Sequence, residues 1–183
     1  MISRDAQIVL LVPGDASRWV TLRREMLADT PWSFASSVED DAGLDPAVTA
    51  ERLAGPDHVT AAAVGGRGDG PLLSTATLLR DRHVKMRHRG WIVGVYTTPA
   101  ARGLGLARQV IVRLIAVARE RGIEVLCLSA SADAAPAIAL YASLGFRAWG
   151  VEPDVVRVDG RSHDEVHMRL VVGPRAAGGG GGT

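Results

Sequence analysis

The segment from residue 91 to residue 128 constrains the fold most, because it joins a strand, a long amphipathic helix and a second strand. Between Gly103 and Arg121, apolar residues recur at steps of 3, 1, 3, 1 and 3, which is the spacing of one helix face. Gly122 then marks the end of the helix. The apolar run at residues 125–128 has the length of a strand buried on both faces. The segment therefore predicts an α/β fold with helices packed on a sheet.

Alternating and periodic stretches predict the remaining elements. Strands are expected at residues 7–12, 59–64, 72–79, 91–97, 125–128, 146–151 and 163–172. Helices are expected at residues 15–28, 46–53 and 103–121, with a fourth between Asp133, as its N-cap, and Gly145. This order predicts a mixed central sheet of about seven strands with about four helices.

The chain length favours one domain. With 183 residues the chain falls within the ~100–200 residues of a typical single domain. Its end, residues 173–183, is rich in glycine and cannot bury enough apolar surface to offset the entropy of ordering. We therefore expect one domain over residues 1–172, followed by a disordered tail.

Composition excludes several classes of function. The 21 basic side chains against 20 acidic ones leave no positive excess for binding nucleic acid in general. No stretch reaches the ~20 apolar residues of a membrane span. The single cysteine, Cys127, forms no intrachain disulfide, and His163 and His167 lack a nearby third ligand, so no metal site is expected. These features, with no signal-peptide pattern, predict a cytoplasmic protein.

The turn after residues 91–97 has the chemistry of an anion site. Gly103 and Gly105 open the long helix, whose first N–H groups lack internal partners and carry the positive end of its dipole. Arg102 adds a charge at the rim. Close packing of the two glycines is an equally open explanation. Two other phosphate loops are excluded, because no Gly-Lys-Ser/Thr is present and Arg108 replaces the third glycine of the dinucleotide fingerprint.

Two motifs resemble the GNAT superfamily of acyl-CoA-dependent N-acetyltransferases. Residues 102–107, Arg-Gly-Leu-Gly-Leu-Ala, match its Arg/Gln-x-x-Gly-x-Gly/Ala signature. Residues 136–146, Pro-Ala-Ile-Ala-Leu-Tyr-Ala-Ser-Leu-Gly-Phe, match its Ala-x-x-Leu-Tyr-x-x-Leu-Gly-Phe block at the usual distance downstream. The resemblance covers residues 88–146 closely and residues 19–37 and 159–170 more loosely.

The resemblance implies a binding site for acetyl-CoA as co-substrate. The fourth and fifth strands would part at a bulge, and backbone groups of Val95 and Thr97 would pair with the pantetheine arm. One N–H there would stabilise the oxyanion formed during amine attack. The pyrophosphate would rest on the loop that opens the long helix. The loop residues expected to bind the cofactor are Arg102, Gly103, Leu104, Gly105, Leu106 and Ala107.

By the same resemblance, Tyr141 protonates the departing thiolate as a general acid. A packing role on an apolar helix face is the alternative. The chain departs from the family pattern at two places. Ala134 stands where many relatives carry a cofactor-binding asparagine, a contact that Asp133 or Ser131 could replace, and residues 91–97 hold no acid to act as base. The base is then a water chain or a residue elsewhere.

The loop between the first two helices is expected to form one wall of the acceptor pocket. Its aromatic and acidic candidates are Trp32, Phe34, Glu39, Asp40 and Asp41. Core anchoring for the aromatic residues and ordinary solvation for the acids are the alternatives.

The predicted function is transfer of an acetyl group from acetyl-CoA to an amine of a small molecule, by direct attack in a ternary complex. A non-catalytic acyl-CoA sensor and a protein N-terminal acetyltransferase are the alternatives. The sequence leaves both a monomer and a homodimer open, and it does not identify the acceptor.

Overall fold

The computed structural model describes residues 6–66 and 68–173. In this part of the chain one sheet has the strand order β1-β2-β3-β4-β5-β7-β6. Its strands are β1 (Gln7–Leu10), β2 (His58–Val64), β3 (Leu72–Arg80), β4 (Arg89–Thr97), β5 (Val125–Ser131), β6 (Arg147–Val158) and β7 (Arg161–Val171). The α-helices are α1 (Ala16–Asp29), α2 (Pro46–Ala54), α3 (Leu106–Glu120) and α4 (Ala135–Ser143).

The predicted mixed sheet of about seven strands with about four helices is confirmed. Neighbouring strands pair antiparallel except for β4 and β5, which are parallel and are connected through α3. A parallel pair needs such a crossover, because its two strands run in the same direction. The expected tail lies almost wholly outside the described residues, so its disorder stays a prediction.

Helices cover both faces of the sheet. Alternate residues of β2 separate into two apolar clusters, with Ala61 and Ala63 in one and Ala62 and Val64 in the other. This is the two-residue period of a strand that is buried on both sides. The first cluster packs on α3 and α4, and the second packs on α1 through Leu22 and Met26. We call these the α3 face and the α1 face of the sheet.

Two details of the predicted helices are wrong. The long helix begins at Leu106 instead of Gly103, because Gly103 and Gly105 both have φ = +77°, outside the helical region. Asp133 does not cap α4, whose N-cap is Ala134 without a side-chain hydrogen bond. The Asp133 carboxylate instead accepts from Nδ1 of His163, 2.7 Å away.

No helix within residues 6–66 and 68–173 combines the length and the apolar character that crossing a membrane requires.

Candidate active site

The site begins where β4 and β5 stop pairing. The two strands pair at only three positions, of which the last is Trp91 opposite Cys127. Beyond that point β5 continues to pair with β7 on its other edge, and β4 continues to pair with β3. A gap therefore opens inside the sheet between Ile92–Thr97 of β4 and Leu128–Ser131 of β5. The expected parting of these two strands is confirmed.

A bulge in β4 lies beside this gap. The register of β4 with β3 shifts between Thr75, opposite Tyr96, and Thr77, opposite Val93. Gly94 has φ = +60° at the shift, a conformation that side-chain-bearing residues rarely adopt. The extra residue shifts the alternation of the side chains that follow it. As a result, Val95 packs with the α3 face and Tyr96 with the α1 face.

The backbone groups of Thr97 point into the gap. Thr98 N–H donates to the Leu73 carbonyl at 2.9 Å, and the Tyr96 carbonyl accepts from Ser74 Oγ at 2.9 Å, so both groups point toward β3. Backbone polar groups alternate along a strand, which directs those of the intervening residue, Thr97, to the other side. In agreement, the Thr97 carbonyl accepts from Arg102 Nε at 3.2 Å.

The loop before α3 exposes a row of free N–H groups. The first donor of the helix ladder is Gln109, which bonds to the Gly105 carbonyl. Within the described part of the chain, no acceptor takes the N–H groups of residues 103–108. A Cβ built on Gly103 or Gly105 would meet no atom within 4 Å, so the approach to this backbone is open. Such a concave row at a helix N-terminus fits a pyrophosphate.

The side chains of the same loop hold this backbone in place. Leu106 is buried in the α3-face cluster and Leu104 packs against it. Arg102 lies at the rim, paired with Asp29 of α1, and its guanidinium lies 5.9 Å from the centre of the Tyr96 ring. Tyr96 in turn donates to Asp29 and Glu25. Arg102 therefore links the loop to α1 at the C-terminal end of β4.

A cleft of about 1120 Å³ runs through the gap from one face of the sheet to the other. Its walls near the gap come from β4, β5 and α4, through Val93, Gly94, Val95, Ser129, Ala130, Ser131, Ala134, Ala137 and Tyr141. Its outer wall comes from α1 and the following loop, through Trp19, Arg23, Ser33, Phe34, Ala35, Ser36 and Asp41. The cleft therefore holds both the predicted general acid and Val95, whereas the other predicted cofactor-binding residues, Thr97 and residues 102–107, are absent from its lining.

Tyr141 lies on the α3 side of the cleft. Its ring packs edge to face with Phe146, with 6.1 Å between ring centres, and the residue is 5% exposed. Burial raises the pKa of the phenol above its usual range, so it keeps its proton at neutral pH. No side-chain hydrogen bond within the described residues occupies the hydroxyl. A protonated donor on the wall of a cleft suits a general acid.

The predicted acceptor residues do not form one surface. Phe34 and Asp41 line the cleft, whereas Trp32, Glu39 and Asp40 are absent from its lining. Asp41 is neutralised, because it accepts from Arg23 Nε at 2.6 Å in a largely buried pair.

The other three candidates lie outside the cleft. Trp32 stacks on His163, with ring centres 6.3 Å apart. Asp40 accepts from the Ser37 N–H at 2.6 Å on the exposed surface, and Glu39 is likewise exposed.

The cysteine and the two histidines considered from the sequence are buried or paired with acids. Cys127 is 5% exposed and lies within β5. His163 pairs with Asp133, and His167 pairs with Glu152 at 2.8 Å. Across residues 6–66 and 68–173 no three metal-ligating side chains come together.

Two residues of the cleft were not among the sequence-based candidates for catalysis. His58 lies at the start of β2, and burial and the neighbouring Arg52 lower the pKa of its imidazole. Glu165 lies on β7 opposite Ser131 of β5. Glu165 shares a sheet face with Ser131 because the two are cross-strand partners, and no local pattern in the sequence indicates this long-range pairing.

Comparison with known proteins agrees with this geometry. The model of the acetyltransferase (GNAT) family matches residues 19–146. A mycothiol acetyltransferase of Acidothermus cellulolyticus is 31% identical over 81% of this chain and 46% of its own length. The chain thus spans about half the length of that curated relative.

Solved structures share the fold. The putative acetyltransferase yncA of Salmonella typhimurium, determined with its cofactor acetyl-CoA, has a TM-score of 0.79 and 24% identity over 94% of this chain and 97% of its own. A ribosomal-protein-alanine N-acetyltransferase of Brucella melitensis has a TM-score of 0.75 and 23% identity over 90% and 99% of the two chains. With the family model matching well over half of its residues, the chain belongs to the GNAT family of acetyltransferases, which use acetyl-CoA.

Proposed function

We propose that the chain transfers the acetyl group of acetyl-CoA to a primary amine of a small molecule, by direct attack within a ternary complex. The observation that carries this proposal is the gap between β4 and β5, which has a row of free N–H groups at one end and Tyr141 on its wall. This arrangement of gap, N–H groups and hydroxyl is complementary to a long, partly extended acyl carrier that ends in an anionic group.

The backbone performs the binding in this proposal. The N–H groups of residues 103–107 and the guanidinium of Arg102 hold the pyrophosphate, because a helix N-terminus and a cation both favour negative charge. Val95 and Thr97 pair with the pantetheine arm along the free edge of β4. A backbone N–H of this edge donates to the carbonyl oxygen that becomes negative during attack.

Tyr141 performs the proton transfer to the leaving group. When bound, acetyl-CoA would supply an activated thioester whose departing thiolate takes up a proton. The Tyr141 hydroxyl donates to that sulfur. Burial raises the pKa of the phenol, so the hydroxyl keeps the proton that it donates at neutral pH. No covalent intermediate on the protein is required.

The cleft favours a small acceptor. Pockets for small molecules typically enclose about 300–1,000 Å³. A cleft of about 1120 Å³ therefore accommodates the acyl-bearing arm together with a small amine. Phe34 and Trp19 provide its apolar outer wall. We further propose that residues 1–172 form one catalytic domain acting in the cytoplasm, where the unpaired thiol of Cys127 would stay reduced.

The test is thiol release from acetyl-CoA with a panel of amines, followed by mass spectrometry of the products. The panel contains free amino acids, amino sugars, polyamines and a peptide with N-terminal alanine. We expect a mass increase of about 42 Da in one small amine, which is the net gain when an acetyl group replaces a hydrogen. Acetyl-CoA binding without turnover of any amine would indicate a sensor, and turnover of the peptide alone would indicate an N-terminal acetyltransferase.

A further inference from the structure

We propose that Glu165 of β7 receives the ammonium group of the acceptor and takes its proton before attack. This inference rests on the function proposed above and supplies the base that β4 lacks. It makes Glu165 the partner of Tyr141 on the opposite side of the gap. The site is selective for primary amines that enter as ammonium ions.

Elimination among the acids of the cleft is the first argument. The carboxylates in its lining belong to Asp41, Asp57, Asp81 and Glu165. Asp41 is paired with Arg23, Asp57 with Arg87, and Asp81 accepts from the backbone N–H and the ring of His83. Among the described residues, Glu165 has neither an ion pair nor a side-chain hydrogen bond. It is therefore the acid of the lining that is available to bind a cation.

The position of Glu165 along the sheet also supports this role. Ser131, its partner on β5, lies four residues beyond Cys127, where the β4–β5 pairing ends. Val95 lies four residues beyond Trp91, the partner of Cys127. At about 3.3 Å per residue, Ser131 lies roughly 13 Å along β5, whereas Val95 lies roughly 10 Å along β4, because the bulge at Gly94 adds a residue without advancing the strand. Glu165 is therefore within about one residue of the level of Val95, a proposed oxyanion donor.

Glu165 lies on the face of the sheet opposite to that of Tyr141. Leu126, Leu128 and Ala130 of β5 belong to the α3 face, together with Tyr141. Alternation places Ser131 on the α1 face, and cross-strand partners share a face, so Glu165 is also there. The proposed base and acid thus lie on opposite faces of the gap, as required when the amine enters from one side and the thiol leaves from the other.

The two histidines of the cleft are less well placed, and His83 is already paired with Asp81. His58 belongs to β2, which is separated from β4 by β3. Two strand spacings of about 4.8 Å separate it from the edge of the gap. The charged groups around Glu165 itself come from β6, β7 and the turn after β5; they are Glu152, His163, His167, Arg169 and Asp133.

The proton balance is closed. The ammonium gives one proton to the Glu165 carboxylate, and the free amine nitrogen forms the new C–N bond. As the C–S bond breaks, Tyr141 gives its proton to the departing thiolate, and the second N–H proton passes through water to restore the Tyr141 phenol. The net reaction converts an ammonium ion and acetyl-CoA into an amide, free CoA thiol and one proton, which returns to water after Glu165 and Tyr141 recover their starting states.

Glu165→Gln is the test, measured with the panel amine that the parent protein acetylates fastest. We expect kcat/KM for that amine to fall about 10²-fold near pH 7, because a general base is lost. The deficit should shrink as the pH rises through the pKa of the amine, since the free amine then needs no base. Acetyl-CoA affinity, measured by calorimetry, should stay unchanged and so show that the variant is folded.

Glu152→Gln is the matched control, because Glu152 is the cross-strand neighbour of Glu165 on the exposed strand β6. It should keep the activity of the parent at every pH. An active parent with an equally active Glu165→Gln variant overturns the role of Glu165 alone. A deficit of Glu165→Gln that is constant with pH also overturns it. A parent that acetylates no amine overturns the proposed function, and the role of Glu165 with it.

Discussion

Tyr141 connects the packing of the α3 face with the chemistry proposed for the cleft. Its ring packs against Phe146, whereas its hydroxyl makes no hydrogen bond with a side chain of the described residues. Tyr141→Phe should therefore leave the fold and the acetyl-CoA affinity unchanged but lower kcat roughly 10²-fold, the loss expected for a general acid. Steady-state kinetics with calorimetry separates these effects. An unchanged kcat would leave Tyr141 as a packing residue.

Asp41 and Glu39 are neighbours in sequence but differ in environment. Asp41 neutralises Arg23 in a largely buried pair, so Asp41→Asn should lower the free energy of unfolding by about 3 kcal/mol. Glu39 is exposed outside the cleft, so Glu39→Gln should change neither the melting temperature nor the acceptor KM. Thermal unfolding and acceptor kinetics of the two variants test this difference. An equal melting temperature for Asp41→Asn and the parent would show that the pair contributes nothing.

At the level of single residues, the sequence predicted those that belong to a local motif. Tyr141 lies in the cleft, as the motif of residues 136–146 indicated. The sequence could not distinguish among the acids Glu39, Asp40 and Asp41. Asp41 differs from its neighbours through its tertiary pairing with Arg23, which no local motif indicates. Glu165 was not predicted, because its place in the cleft depends on a strand pairing with Ser131, 34 residues earlier in the chain.

Among the secondary-structure elements, the start of α3 is the most sensitive to substitution. Gly105 is its N-cap with φ = +77°, where an L-residue costs about 1–2 kcal/mol. Gly105→Ala should lower stability by about 1 kcal/mol, and Gly105→Val should in addition weaken acetyl-CoA binding roughly tenfold by filling the open approach to the N–H groups.

Gly14→Ala is the control for this pair of variants, because a Cβ there also meets open space but the backbone is not left-handed. It should match the parent in both thermal unfolding and calorimetry. If Gly105→Val bound acetyl-CoA as tightly as Gly14→Ala, the pyrophosphate would have to bind elsewhere.

Periodicity alone was enough to predict where most elements lie, but not how β4 and β5 diverge. The periodic spacing of α3 and the continuous runs of β2 and β3 were informative, because α3 is amphipathic and the two strands are buried on both faces. The gap depends on a bulge at Gly94 and on pairing that ends at Trp91. Neither leaves a periodic pattern, so the resemblance to the family was needed to expect it.

For the whole molecule, the boundary of the domain can be tested by truncation. The last described residues are tied to the fold, since Val172 N–H donates to the Glu124 carbonyl at 2.8 Å and Val171 pairs with Val125. Removing residues 174–183 should leave the melting temperature and activity unchanged, because the composition offers no apolar face to bury.

Removing residues 171–183 is the comparison for that truncation. It takes away the end of β7 and should lower the melting temperature measurably. A drop for the shorter deletion, of the same size as for the longer one, would mean that the tail docks on the domain.

The central claim is that acetyl-CoA binds within the β4–β5 gap, between the N–H row before α3 and Tyr141. A crystal structure of the complex with acetyl-CoA tests it most directly. We predict the pyrophosphate on the N–H groups of residues 103–107, the sulfur beside the Tyr141 hydroxyl, and the thioester oxygen about 3 Å from a backbone N–H of Val95 or Thr97. A cofactor bound outside this gap would contradict the account.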